Sequence, residues 1–531
     1  MKKYVLTLVI LFSITFFLTG CYKDKGNYNY HAVNAIAIKT TAASDSFTVA
    51  AGDTLRINVN VTQTIPVDSG LSYKWIITSP FNSVQPSPTQ NILGTQQNLA
   101  AQILEIPNNY LVTAQVTDQK SGVTFFHTFY VTVTPDKLSM NEGWLVLEQA
   151  SGGSDVSYIS YPATGTIMHN IYSLNNAGYL PSDAFSLTVV NTIRQNPNQY
   201  VMILSGSDMV QADYLKLSKV AGYNNLFFTP PSTRRPQAFS SRLQTNMNLL
   251  LDNNSLFLSN NTAPAQAIDP FVGPYTGGVG NNNLKYNTNI ISNSGSPIPA
   301  SGYDYYILYD DLSQRFIYFY GGSLTLLGPV NFGAAAAGAP FDMNNIGKQY
   351  LHVDNTVDGY RNEFASTFFC LFKNNNNDSL FLYQVLNKTG SNSLPATQVN
   401  AIAIYPVLNA PGLATAKNFT SSDYTYQVYY ESGNNIYVLN AQSGQAHIIY
   451  SFPVGVQINV VKLFKPQYVK FPAYAPADCS VLAGATQEAG QGKLYTFNLS
   501  PSGDITGNTY TNVWGGFGNI KDFAFKKVAG Q

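Results

Sequence analysis

Charge is scarce in this 531-residue chain: 29 Lys+Arg balance 29 Asp+Glu, only 11% of residues are charged, and the formal net charge is zero. Nucleic-acid binding and polybasic membrane adhesion both need a basic field, so this balance argues against them. Cysteine is nearly absent, with three residues and no CxxC, so the cysteines suggest no zinc site. The five histidines, His31, His127, His169, His352 and His447, stand far apart and form no HxxxH or HExxH pair. No G-x-S-x-G elbow occurs. Gly490-Gln491-Gly492-Lys493 lacks the length and the following Ser/Thr of a phosphate loop and reads as a hairpin turn. Few long segments carry helical periodicity.

Aromatic residues and turn formers are abundant. There are 36 tyrosines and 31 phenylalanines, and asparagine is frequent. Aromatics favour strands and asparagine favours turns, so the expectation is an all-β protein with many polar loops. The length is too great for one ordinary core, so more than one domain is expected.

One long apolar run stands at the start. Lys2-Lys3 precede Tyr4 to Phe17, and Leu18-Thr19-Gly20-Cys21 follows. A basic n-region, a short apolar h-region and small residues at the cut make a signal peptide. The run is short for a membrane span, which needs about 20 apolar residues. The quartet resembles a bacterial lipobox, which implies cleavage after Gly20 and lipid attachment at Cys21. Residues 1–20 are then the signal peptide and 21–34 a polar tether. Lys23-Asp24-Lys25 resembles a surface-export signal, with a plain solvated linker as the alternative.

Residues 35–135 read as a β-sandwich of immunoglobulin-like size. Leu55 to Val61, Tyr110 to Val116 and Phe129 to Val133 alternate apolar and polar side chains. Turn clusters such as Ala51-Gly52-Asp53 and Lys120-Ser121-Gly122 separate them. Trp75, in Tyr73-Lys74-Trp75-Ile76, supplies the buried strand tryptophan of such a sandwich. The order Tyr73-Lys74-Trp75, Ile92 to Thr95 with Leu99, then Tyr110 through Val116-Thr117-Asp118 resembles a PKD-like domain. With the lipobox and the mature start at Cys21-Tyr22-Lys23-Asp24-Lys25-Gly26, it is similar to the PKD-like family lipoproteins. A generic immunoglobulin-like sandwich is the alternative.

After a joint at 136–142, residues 143–531 read as an array of hairpins. Anchors at Leu145, Val201, Met247, Tyr305, Thr367, Thr425 and Ser480 are separated by 56, 46, 58, 62, 58 and 55 residues, by subtraction of their numbers. In each hairpin an apolar strand turns into a second strand rich in Tyr, Leu and Phe; in the second unit Tyr200 to Leu204 turns into Asp213 to Leu217. Repeats of this kind bury their faces only by stacking, and a ring protects their edges. The expectation is a seven-bladed β-propeller, with six or eight blades, or further sandwiches, as alternatives. Gly273–Ser301, the alanine run Ala334–Ala337, Asp354–Asn362 and Lys388–Ala396 read as loop excursions where binding resides on a rigid face.

No catalytic constellation emerges, and no cofactor or metal is assigned. The carboxylate candidates are Asp310-Asp311, which fits a hairpin turn, Asp354 with Asp358, whose spacing is oxygen-rich but lacks the calcium-loop pattern, and Glu142 with Glu148. The tyrosines of Gly302-Tyr303-Asp304-Tyr305-Tyr306 are candidates for stacking on sugars or peptides. Cys370 and Cys479 read as two buried free thiols rather than a disulfide. The family resemblance implies a lipid-anchored, surface-exposed outer-membrane accessory protein that binds peptides or glycans beside a SusC/SusD-type TonB-dependent importer. A propeller glycoside hydrolase or lyase, and an adhesion or envelope-structure role, are the competing expectations.

Overall fold

A computed structural model gives the architecture. It describes residues 34–65, 70–78, 90–105, 108–134, 140, 142–161, 166–176, 178–191, 199–241, 247–260, 268, 270–275, 283–292, 305–320, 328–354, 367–386, 398, 400–422, 424–465 and 479–527. The signal peptide, Cys21, the tether up to residue 33, Asp358 and the 388–396 excursion lie outside the described residues. Contacts divide the chain into two compact units, Met1–Lys137 and Leu138–Gln531.

The first unit is a β-sandwich. One layer is a five-stranded sheet in the order Ser46–Ala50, Thr124–Thr134, Asn108–Asp118, Leu71–Thr78, Gln90–Gly94. The pairs Ile36–Thr40 with Val59–Gln63 and Thr54–Ile57 with Leu99–Gln102 supply the other strands. Strict alternation places Tyr110, Val112, Ala114 and Val116 inward, against Ile38, Leu55 and Ile57. Trp75 is 1% exposed, stacks on Phe129 at 5.6 Å, and donates its Nε1–H to the Gln96 carbonyl at 2.8 Å. A buried indole thus keeps its one polar atom satisfied. Asp118 ends its strand as a turn former, accepting from the Lys120 N–H at 2.9 Å and the Ser121 hydroxyl at 3.0 Å. It also accepts from the Asn34 amide at 3.5 Å, and these bonds, the Lys120 N–H foremost, hold its carboxyl below the ordinary range against the opposing effect of burial. His127 lies on the core side of its strand beside Phe129, 3.1 Å from Asp45.

The second unit is a propeller-like array. Among the described residues it holds seven antiparallel sheets, six of four strands and one of three, each formed mainly from consecutive strands. The three-stranded sheet, Ile291–Ser292, Tyr305–Asp310 and Arg315–Tyr320, has two further bridges, from Asp310 to Tyr286 and from Tyr318 to Val330. The first sheet is composite: Gly143–Ala150, Gly153–Ser160 and Ile167–Met168 are joined by the C-terminal strand Ile520–Lys526. One apolar cluster fills each junction between successive sheets, and another joins the seventh sheet to the first. In that last cluster Trp144, Val146 and Phe523 meet Phe464, Ala483, Leu494 and Trp514.

This stacking explains the sequence pattern. The two middle strands of each sheet are covered on both faces, so Gly143–Ala150, Gln199–Ser205 and Thr367–Lys373 are nearly continuous buried runs. Six of the hairpins expected from sequence form: five are these middle pairs, and Tyr305–Asp310 with Arg315–Tyr320 is the last pair of the three-stranded sheet. In the second, the return strand is Met209–Asp213, not 213–217. Asp213 opens a turn by accepting the Leu215 and Lys216 N–H groups, and Leu217 takes φ 57°. Tyr214 and Leu217 are buried because the turn packs inward, which made it resemble a strand. The stretch Gly273–Ser301 is likewise more than a loop: Val272–Tyr275 is the outer strand of the third sheet and Ile291–Ser292 the inner strand of the fourth.

Candidate functional site

The strands that open the sheets converge on one cavity of about 420 Å³. Ala184–Asn191, Pro236–Ser241, Gln349–Val353, Phe419–Ser421, Gln457–Leu463 and Ile520–Lys526 all contribute, and the fourth sheet adds Thr288 and Asn289 just before its first strand. The volume lies in the range of small-molecule sites, roughly 300–1,000 Å³.

Two ion pairs cross this axis. Lys465 Nζ lies 2.8 Å from Asp354 Oδ2, with side chains 2% and 5% exposed. The same carboxylate accepts from the Thr420 hydroxyl and the Ser421 N–H, both at 2.7 Å. Asp354, Thr420 and Lys465 belong to the fifth, sixth and seventh sheets, so the group staples three neighbours. Asp522 pairs with Lys462 and accepts from the Leu187 N–H at 2.9 Å, linking the seventh, first and second sheets. Buried charges persist only when paired and hydrogen-bonded, and here each partner is drawn from a different sheet.

The sixth sheet's approach to the cavity is fixed from two sides. Glu431, 6% exposed, accepts the Lys417 and Asn418 N–H groups at 2.7 and 3.1 Å. Burial raises its carboxyl pKa, an effect those N–H bonds oppose. His352 Nε2 contacts the Ala416 carbonyl at 2.8 Å; a carbonyl only accepts, so Nε2 carries the proton. Burial lowers the His352 pKa, and the ring therefore adds no charge to the cavity at neutral pH.

Among the described residues, the carboxylate candidates from sequence do not converge. Asp310 is fully buried in a hairpin, where it accepts the Lys285 and Leu312 N–H groups, and Asp311 starts the turn. Asp354 is in the cavity but is held by Lys465. Glu142 pairs with Lys527 at 2.7 Å. Glu148, raised by burial, accepts from the Ser157 hydroxyl and the Gly518 N–H, while Ser157 Oγ lies 3.4 Å from His169 Nδ1. Ser157 is fully buried and closed to a substrate. Among the described residues no group of three or more His, Cys, Asp or Glu side chains is placed to hold a metal ion. Tyr306 is buried with its hydroxyl on the Ser240 carbonyl; Tyr303 lies outside the described residues. Neither Cys370 nor Cys479 is in a disulfide; the first is buried with its thiol pushed up to about 12 by burial, and the second is half-buried.

Sequence reasoning missed Lys417, Lys462, Lys465 and Asp522. Lys465 lies 111 residues from Asp354, and Lys462 lies 60 from Asp522. The available signal was a polar or charged residue at the end of an apolar strand, as in Val461-Lys462-Leu463-Phe464-Lys465.

No curated protein matches the sequence. The solved structures that resemble the chain include a quinoprotein alcohol dehydrogenase-like protein from Bacteroides thetaiotaomicron, with TM-score 0.36 and 10% identity, covering 94% of this chain and all of that one. KlHsv2 with a replaced loop gives TM-score 0.37 and 9% identity, covering 71% of this chain and 98% of that one. The WD40 domain of SCAP from fission yeast gives TM-score 0.30 and 10% identity, covering 63% and 74%. Residues 21–183 match the PKD-like family, a span that takes in the sandwich and the opening strands of the first propeller-like sheet.

Proposed function

We propose that this chain is a lipid-anchored binding protein of the outer membrane, exposed at the cell surface, in which a PKD-like sandwich precedes a seven-bladed β-propeller. Its role is to capture peptides or glycans for a SusC/SusD-type TonB-dependent importer. The axial cavity carries the binding part of this reading. It is a concave site reached by all seven sheets, and its ion pairs give it a fixed wall. Seven apolar junctions, one of them between the last sheet and the first, support the blade count. The lipobox residues Leu18 to Cys21 support the anchor, since a lipobox cysteine bears several acyl chains and each buried methylene adds about 0.8 kcal/mol of membrane affinity. The match of residues 21–183 to the PKD-like family supports the sandwich, and the importer association rests on the resemblance of the lipobox and first domain to the PKD-like family lipoproteins.

Purification from outer membranes tests the reading. Cys21→Ser is expected to move the protein from the membrane to the soluble fraction. The native protein is expected to bring down a TonB-dependent barrel and its lid protein. Recovery of the native protein without either would overturn the importer role; a membrane-bound Cys21→Ser variant would overturn the anchor.

A further inference from the structure

The polar groups of the axial cavity are divided unevenly. On the side of the fifth, sixth, seventh and first sheets, Asp354, Lys465, Lys462 and Asp522 neutralise one another. On the side of the second, third and fourth sheets the lining carries Ser186, Thr188, Ser240 and Thr288. Among the described residues these four hydroxyl groups have no hydrogen-bond partner, so each is free to donate and to accept. Phe185, 40% exposed, lies beside them on the same wall.

Among the described residues, one charge in the lining is not neutralised. Lys417 is exposed and has no carboxylate or hydrogen-bond partner for its ammonium among the described residues. Its backbone is held by Glu431 through its own N–H, and the neighbouring Ala416 carbonyl is held by His352. The lysine therefore rises from a fixed base. With the two ion pairs cancelling, the described lining carries a net positive charge at this position.

We propose that the cavity takes an acidic saccharide, of the uronic acid class. The free hydroxyls and Phe185 meet the sugar's hydroxyls and ring face, and Lys417 meets its carboxylate. This deepens the binding reading above and rests on it. Hydroxyls without protein partners suit a polyhydroxylated ligand because each new bond replaces one to water. An exposed aromatic face gives a ring something to stack against. A charge-assisted bond from Lys417 then separates acidic from neutral sugars.

Calorimetric titration of the mature full-length protein with glucuronate, glucuronamide, glucose and the dipeptide Gly-Asp tests this. Glucuronate and its amide differ in charge at one group. Glucuronate is expected to bind about tenfold tighter than glucuronamide, an advantage that shrinks with added salt. Lys417→Gln should abolish that difference by weakening glucuronate, and leave the melting temperature unchanged, because the Glu431 bond is to the backbone. Lys417→Arg should restore the preference. Equal binding of glucuronate and glucuronamide, or a preference that survives Lys417→Gln, would overturn the charge selection while leaving a sugar-binding cavity. Binding of Gly-Asp with no sugar would overturn the saccharide class while leaving a binding protein. Binding of no probe would overturn the saccharide inference, and the binding reading would then stand or fall on the membrane purification.

Discussion

Lys465→Met removes one half of the most buried ion pair in the lining of the axial cavity. Lys465 Nζ sits 2.8 Å from Asp354 Oδ2, and both side chains are at most 5% exposed. At that separation an effective dielectric of about 20 gives an attraction of about 6 kcal/mol, much of which offsets the desolvation of the two charges. Removing one partner leaves the other charge buried and unpaired, which costs about 3–5 kcal/mol. Asp354 retains the Thr420 hydroxyl and the Ser421 N–H, so the lower end, about 3 kcal/mol, is expected. An unfolding entropy of about 2.1 cal/mol/K per residue over roughly 390 residues converts this to a fall of about 4 °C in Tm. Scanning calorimetry reads the shift on the larger of the two unfolding transitions. Asp354→Asn combined with Lys465→Met removes the stranded carboxylate and should recover more than half of the loss. A single variant that melts within about 1 °C of the native protein, or a double variant no better than the single, would refute the inter-sheet staple.

Three further outcomes are expected. Trp75→Ala should destabilise the sandwich by about 3–5 kcal/mol, because it opens a large cavity beside Phe129; denaturant unfolding followed on the sandwich transition reads it. Gly518→Ala should cost about 2–4 kcal/mol in the second unit, since a Cβ there would collide with the Gln149 carbonyl where the C-terminal strand enters the first sheet. Gly515→Ala, whose Cβ would come no closer than 3.6 Å to Lys493, is the tolerated control, and the pair is compared by Tm. Burial lowers Lys526 to about 7, against the opposing pull of Asp213 and Glu142. The unfolded chain then binds the extra proton between about pH 7 and the ordinary lysine value, so stability should rise with pH above 7, by order 1 kcal/mol per pH unit. Lys526→Met should flatten that rise, and an unchanged slope in the variant would exclude Lys526 as its source.

The hairpins were legible because a strand covered on both faces must be apolar along its length. Tyr305 to Tyr309 and Phe316 to Tyr320 therefore stand out, as do Leu249-Leu250 and Leu256 to Leu258. The inner strands were not, because their cavity-facing positions carry Ser, Thr, Asn and Lys and break the apolar pattern. One of them, Ile291–Ser292, lay inside a stretch that looked like a loop, the Gly- and Asn-rich excursion. Tyr214 and Leu217 failed in the opposite sense. They are apolar because a turn is buried, and periodicity cannot separate a buried turn from a strand.

By itself, the sequence determined that the chain is β-rich, that a sandwich with a central tryptophan comes first, and that repeated hairpins follow at a spacing of about 46 to 62 residues. These are local properties, set by side-chain alternation, turn chemistry and the need to cover apolar strands. The tertiary structure alone decided that the last strand returns to the first sheet and that seven sheets share one cavity. It also decided which charges meet there. Asp354 with Lys465 and Asp522 with Lys462 are pairings between sheets, and neither residue of a pair carries a local mark of its partner. Among the described residues, what reaches the cavity unpaired, Lys417 and four hydroxyls, is what remains after those distant partners have found each other.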